Sequence, residues 1–214
     1  MSNGELTAGS LAKPFETWWQ DKRIRALVQV LCLIGIGAVA AVAKNASLPL
    51  GIPGHSAILW LTPLVAGRAL IKRDGAGTLM GVSVALWGIP IGLGGGVFHG
   101  FVHNLGLYGF TGLALDLSAR LPHVNIRNPF GAIFCGAVAH MIKFAFLMTA
   151  ALTSSVTTHF MIFGILKSAG LHLAFGAAAG LIGWLVYKGG QTGWRKLASR
   201  LHSKEPRELQ KQST

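Results

Sequence analysis

The sequence predicts an all-α polytopic membrane protein, a single bundle of six transmembrane helices with both termini cytoplasmic. Three observations carry that expectation. Half of the 214 residues are apolar and only 12% are charged, yet the net charge is +12, so charge is missing from long runs and crowded between them. The runs are about 20 residues long, which is what a hydrocarbon core of about 30 Å demands of a helix. The Lys and Arg residues fall in alternate connectors, as the positive-inside rule expects of cytoplasmic segments.

Residues 1–23 read as a cytoplasmic N-terminal tail, ending in Trp18 and Trp19 before Lys22, Arg23 and Arg25, an interfacial aromatic and basic anchor. Ile24 to Ala43 is the first span. Its basic start and Ala41-Val42-Ala43 resemble a signal peptide, but the run exceeds a usual h-region and is read as a retained helix. The connector Pro49-Leu50-Gly51-Ile52-Pro53-Gly54-His55-Ser56 follows. Two prolines and two glycines make it a shaped turn, either a lid over a ligand or a tight interhelical loop with His55 at the headgroups.

Ser56 to Ile71 is a shorter second span, closed by Lys72, Arg73 and Asp74, with Arg68 expected to snorkel from its last turn. The third runs from Gly75 to about Ile89 and breaks at Gly88 and Pro90; Gly92, Gly94, Gly95 and Gly96 form an uncharged turn after it. Spans four to six are expected over Val97–Ala119, Pro129–Leu152 and His159–Tyr187, completing a transmembrane domain at residues 24–188. Residues 189–214 form a basic cytoplasmic C-terminal tail. Trp194, Leu197 and Leu201 share one face of it, which suits a short helix on the membrane surface or a tail that only sets topology.

Charge supports this layout. Lys13 to Arg25, then Arg68 to Arg73, then Arg120 and Arg127, then Lys188 to Lys211 lie in alternate segments, and the intervening connectors hold only Lys44. Membrane lipid is therefore the expected partner of the basic residues, and nucleic acid is excluded. Cys32 and Cys135 lie in separate spans without a Cys-x-x-Cys, which supports neither a disulfide framework nor a thiolate metal site.

Small residues recur at four-residue spacing in Gly77/Gly81, Gly92/Gly96/Gly100 and Gly164/Ser168/Gly176/Gly180, where helix backbones can approach closely. Most of these stripes are read as internal packing. The first helix is smooth on more than one side, and Gly37, Ala38 and Ala41 are expected to dock another protein.

A charge in mid-span costs about 2.5–3.5 kcal/mol on insertion scales, so Lys143 and Lys167 should face the bundle or a watery cavity. Asp116 lies nearer the cytoplasmic end of its helix than either lysine; carbonyls, water or a bound anion must satisfy them instead. Histidines gather toward the outer side: His55 after the connector, His99 and His103 one turn apart, and His159 opening the sixth span. His140 and His172 lie deeper, and Asn104 follows His103. An i, i+4 pair can present two imidazole nitrogens to one ion, so His55, His99 and His103 form a candidate site for Ni, Co, Cu or Zn. A small anionic vitamin-like molecule near Lys143, Lys167 and His172 is the competing reading, and His140 is a further substrate-binding candidate.

No catalysis is expected. His99-Gly100-Phe101-Val102-His103 lacks the glutamate of a zinc-protease helix, no P-loop motif occurs, and no span carries paired carboxylates.

Gly51-Ile52-Pro53-Gly54-His55, the Gly92-to-Gly96 turn and Asn104-Leu105-Gly106, on six spans with a smooth first helix, resemble the membrane substrate-binding (S) components of energy-coupling-factor transporters. The detailed likeness covers roughly residues 48–115 and is nearest the cobalt/nickel subgroup. The resemblance implies a subunit that captures a scarce nutrient and is driven by a scaffold transmembrane subunit and two ATPases. It implies a metal-ligand role for His55, a substrate-binding role for Asn104, and scaffold contact for Gly37, Ala38 and Ala41. The chain departs from the subgroup at its start, with Met1-Ser2 where those proteins begin Met-His, so His99 and His103 would have to complete a metal site. A third reading is a non-transporting accessory subunit that anchors a larger membrane complex.

Overall fold

A computed structural model describes residues 21–47, 50–91, 97–153 and 164–211, and these are all-helical, without a strand. The helices are α1 (Lys22–Asn45), α2 (Ala57–Leu70), α3 (Ala76–Gly88), α4 (Val97–Asn104), a π-helical turn (Leu105–Gly109), α5 (Phe110–Ala119), α6 (Pro129–Thr153) and α7 (Ile165–Lys211). The described parts of the apolar stretches read from the sequence are mostly helical, with α4, the π turn and α5 running on from one another; residues 159–163 of the sixth lie outside the described residues.

Among the described residues three helices are long and apolar enough to cross a membrane, over Lys22–Asn45, Pro129–Ala151 and Ile165–Leu197. By contrast α2 and α3 have 14 and 13 residues, about 20 Å of helix against a core of about 30 Å. The sequence shows why they are short. Gly54 and Ser56 delay the start of α2, charges from Lys72 to Asp74 follow it, and Gly88-Ile89-Pro90 ends α3.

Helix α7 packs along α6 and α2, α1 lies on α2 and α3, and α3 lies on α5. The small-residue stripes do the work expected of them at two of these contacts. A Cβ on Gly180 would lie 2.8 Å from the Ala132 carbonyl carbon, and one on Gly136 would lie 2.8 Å from Gly180 Cα, so α6 and α7 touch backbone to backbone. Gly77 meets Gly112, and Gly81 meets Tyr108, across α3 and α5 in the same way. Gly164, at the start of the Gly164/Ser168/Gly176/Gly180 stripe, is exposed, and a Cβ placed on it would meet nothing within 4 Å.

Gly37 and Ala41 are buried within the chain, and a Cβ on Gly37 would fall 2.6 Å from Ser83 Oγ and 2.8 Å from the Met80 carbonyl oxygen. This corrects the expectation of a docking stripe there: the smooth face of α1 receives α3 of its own chain. Ala38 is half-buried beside it.

Arg68 departs from expectation as well. Instead of snorkelling it is buried, with Nε 2.7 Å from Asp116 Oδ1 in an ion pair not aligned as a hydrogen bond. Asp116 also accepts from Gly77 N at 3.0 Å, Thr78 N at 2.8 Å and Thr78 Oγ1 at 2.8 Å. These are the second and third residues of α3, so a carboxylate from α5 caps α3 in the way an N-cap residue of its own chain segment would. One side chain thereby ties α2, α3 and α5.

The basic tail is continuous with the bundle. α7 runs from Ile165 to Lys211 without interruption, so the boundary expected near residue 188 is a change of charge and not of secondary structure.

Candidate functional site

The connector before α2 folds as its composition demands. Gly51 and Gly54 both take left-handed backbone angles, φ 69° and 81°, and the chain then enters α2 through Ala57 N donating to the Gly54 carbonyl at 2.9 Å. Pro49 lies outside the described residues. His55 turns back on the loop, with Nδ1 2.5 Å from the Ile52 carbonyl oxygen, so Nδ1 carries the hydrogen and donates.

Gly54 is the residue that meets the interior. A Cβ there would lie 3.2 Å from both His140 Nε2 and His172 Cα. Glycine is needed twice over, for its backbone angle and for this close approach.

Beneath Gly54, His140 of α6 and His172 of α7 stack with ring centroids 4.8 Å apart and planes 24° from parallel. The Gly136/Gly176 contact makes this possible, because it brings the two helices close one turn below. His172 Nδ1 lies 2.8 Å from the Ser168 carbonyl oxygen. His140 is 1% exposed, and although the Gly54 backbone faces it, neither ring nitrogen makes a well-formed hydrogen bond. Buried polar atoms are nearly always paired, so two orphaned nitrogens on one ring are informative. The Ser168 hydroxyl and Trp60 Nε1 are orphaned as well.

Lys143 shares the face of α6 with His140 and is 6% exposed. Its ammonium lies 4.3 Å from the Trp60 ring centroid and 5.0 Å from that of Tyr108, and these two rings meet edge to face at 5.0 Å. Among the described residues no carboxylate pairs with it. Two π faces thus supply what a counter-ion would, a contact worth about 2 kcal/mol when desolvated. Lys44, at the end of α1 and bonded to Ser47 Oγ at 3.4 Å, adds a second positive charge within electrostatic range.

Tyr108 reaches this point because of the π turn. The i→i+5 bonding of Leu105–Gly109 inserts one residue of rotation, so a face read at ordinary helical spacing from His103 misses it. His103 lies against Phe146, ring centroids 5.8 Å apart, within electrostatic range of Lys143, and Asn104 is buried. Phe144 closes the far side, 5.0 Å from His172.

The structure therefore gathers His140, Lys143 and His172 from the expected set, with His103 and Asn104 on the adjoining helix. It leaves Lys167 exposed at the start of α7, a correction to its expected place at the interior. The side chain of His99, all of His159 and the Gly92-to-Gly96 turn lie outside the described residues. Trp60, Tyr108 and Lys44 were not expected as site residues. Trp60 carried one usable signal, since it follows the connector by a single turn.

The described cluster suits an anion better than a cation. Imidazole lone pairs lie in the ring plane, so two nearly parallel rings aim them side by side and not at one point, and Lys143 would repel a metal. Among the described residues no group of three or more His, Cys, Asp or Glu is arranged to hold a metal ion. Set against known proteins, the chain matches no protein-family model, no curated protein and no solved structure.

Proposed function

We propose that the chain is the substrate-binding membrane subunit of a nutrient-uptake transporter, of the energy-coupling-factor kind, and that its ligand is a small organic anion. The observation that carries this reading is a buried ammonium, Lys143, held by ring faces beside the orphaned nitrogens of His140 and beneath the Gly54 turn. An anion would accept from both groups at once. Charge placement argues for six spans with both termini cytoplasmic, which puts the connector and the cluster below it on the outer side, where a nutrient arrives. The missing nucleotide motif is consistent with energy supplied by a scaffold transmembrane subunit and ATPase partners.

The test is ligand binding by the full chain in mild detergent, using a panel of small carboxylates and phosphates beside Ni2+ and Co2+. Lys143→Ala should weaken anion binding by about 1.5–3 kcal/mol, the worth of a hydrogen bond to a charged group, or about 10- to 150-fold. Binding of Ni2+ alone, abolished by His55→Ala, would replace this reading with the metal site of His55, His99 and His103. Co-purification with an enzyme complex and no ATPase would favour an accessory subunit.

A further inference from the structure

Helices α1 and α7 both pack on α2. Between them runs a groove of about 1050 Å³, bounded by Cys32 and Val39 on α1, Pro63 and Leu70 on α2, and Val186 and Arg195 on α7. Its floor is low because Gly67 and Ala66 offer little side chain. Its walls are apolar, and polar groups gather at one end only.

That end is built for an anion at a membrane surface. Trp194 and Arg195 are exposed there. Gln191 Nε2 donates to Tyr187 Oη at 2.6 Å, so the phenol oxygen accepts there and its own hydrogen is not used in that bond. Arg127 Cζ lies 5.9 Å from the centre of the Tyr187 ring, with its Nε donating to the Ala69 carbonyl at 2.9 Å. An indole beside a guanidinium at the edge of an apolar surface is the arrangement found at headgroup depth.

Length separates the two kinds of occupant. The walls run eight residues along α1 and eight along α2, about 12 Å of helix, which is close to one leaflet of a core about 30 Å thick. A partner helix crossing the membrane would find walls for less than half its length. One phospholipid, with its chains in a single leaflet and its phosphate at the surface, matches both the depth and the charged end.

We propose that the α1/α2/α7 groove binds an anionic phospholipid, its acyl chain along Gly35, Gly67 and Pro63 and its phosphate at Arg195 and the Tyr187 hydroxyl. The site rests on the chain crossing a membrane and is independent of the ligand reading at Lys143.

The test uses the full chain in phosphatidylcholine vesicles that carry a minor fraction of mid-chain-brominated lipid, either phosphatidylglycerol or phosphatidylcholine. The emission of Trp194 is isolated by difference against Trp194→Phe. Brominated phosphatidylglycerol should quench it with an apparent affinity about fivefold greater per engaged cation, and Arg195→Gln should remove that share of the preference. Gly35→Phe should reduce quenching by both lipids, since nothing lies within 4 Å of a Cβ at Gly35 and the ring would fill the groove without a clash. Equal quenching by the two lipids, or a preference undiminished by Arg195→Gln, would overturn the proposal. So would absence of quenching, which would show that no acyl chain lies in the groove beside Trp194.

Discussion

Asp116→Ala is the substitution whose cost is best defined by the structure. The carboxylate is 2% exposed and serves two elements: the Arg68 guanidinium at 2.7 Å, and the first turn of α3 through Gly77 N, Thr78 N and Thr78 Oγ1. Removing one partner of a buried ion pair leaves the other charge uncompensated, at about 3–5 kcal/mol. Loss of the cap costs about 1 kcal/mol more. The two losses share one carboxylate and will not add fully, so about 4 kcal/mol is expected, close to a thousandfold shift in the unfolding constant. The assay is equilibrium unfolding of the full chain in mixed micelles. A double mutant sharpens it: Arg68→Met with Asp116→Ala removes both charges, and should recover most of the loss because apolar replacement of a buried pair is often neutral. A loss under about 1 kcal/mol for Asp116→Ala, or a double mutant as unstable as the sum of the singles, would refute the pairing as the source of stability.

Three other outcomes follow from the geometry. Gly54→Ala forces an alanine into a left-handed conformation at about 1–2 kcal/mol and presses on His140 and His172, so it should lower both thermal stability and ligand affinity, measured together on one preparation. Gly180→Leu should destabilise strongly, because its Cβ would meet the Ala132 and Ile133 backbone, whereas Gly35→Leu, facing open space, should leave the melting temperature of the detergent-solubilised chain nearly unchanged. Reporter fusions at residues 92 and 155 should read outside, and those at 74 and 122 inside; the reverse would undo the assignment of the connector to the outer face.

The sequence made the helices legible because apolar runs, prolines and glycines act locally. Pro129 starts α6 where expected, and the spacing of Gly176 and Gly180 announced a close contact. It did not say with whom. A smooth stripe such as Gly37/Ala41 promises close approach but carries no address, and here the address is Ser83 of the same chain. Arg68 and Lys143 illustrate the same limit for charge. Lys143 was recognisable as a residue in need of a partner and Arg68 was read as one that snorkels, yet Arg68 pairs with a carboxylate on α5 and Lys143 lies on rings of α2 and the π turn. Tyr108 was hidden for a further reason, since one π turn shifts the helical phase that any periodic reading relies on.

The trans cap on α3 also bears on how the chain is made. The N–H of Gly77 leaves the ribosome 39 residues ahead of the carboxylate that receives it. At about 5–20 residues per second that interval is about 2–8 seconds. Throughout it, a 13-residue apolar helix has an open first turn and Arg68 has no counter-ion from its own chain. Asp116, arriving with α5, closes the first turn of α3 and supplies the carboxylate that Arg68 pairs with in the folded chain.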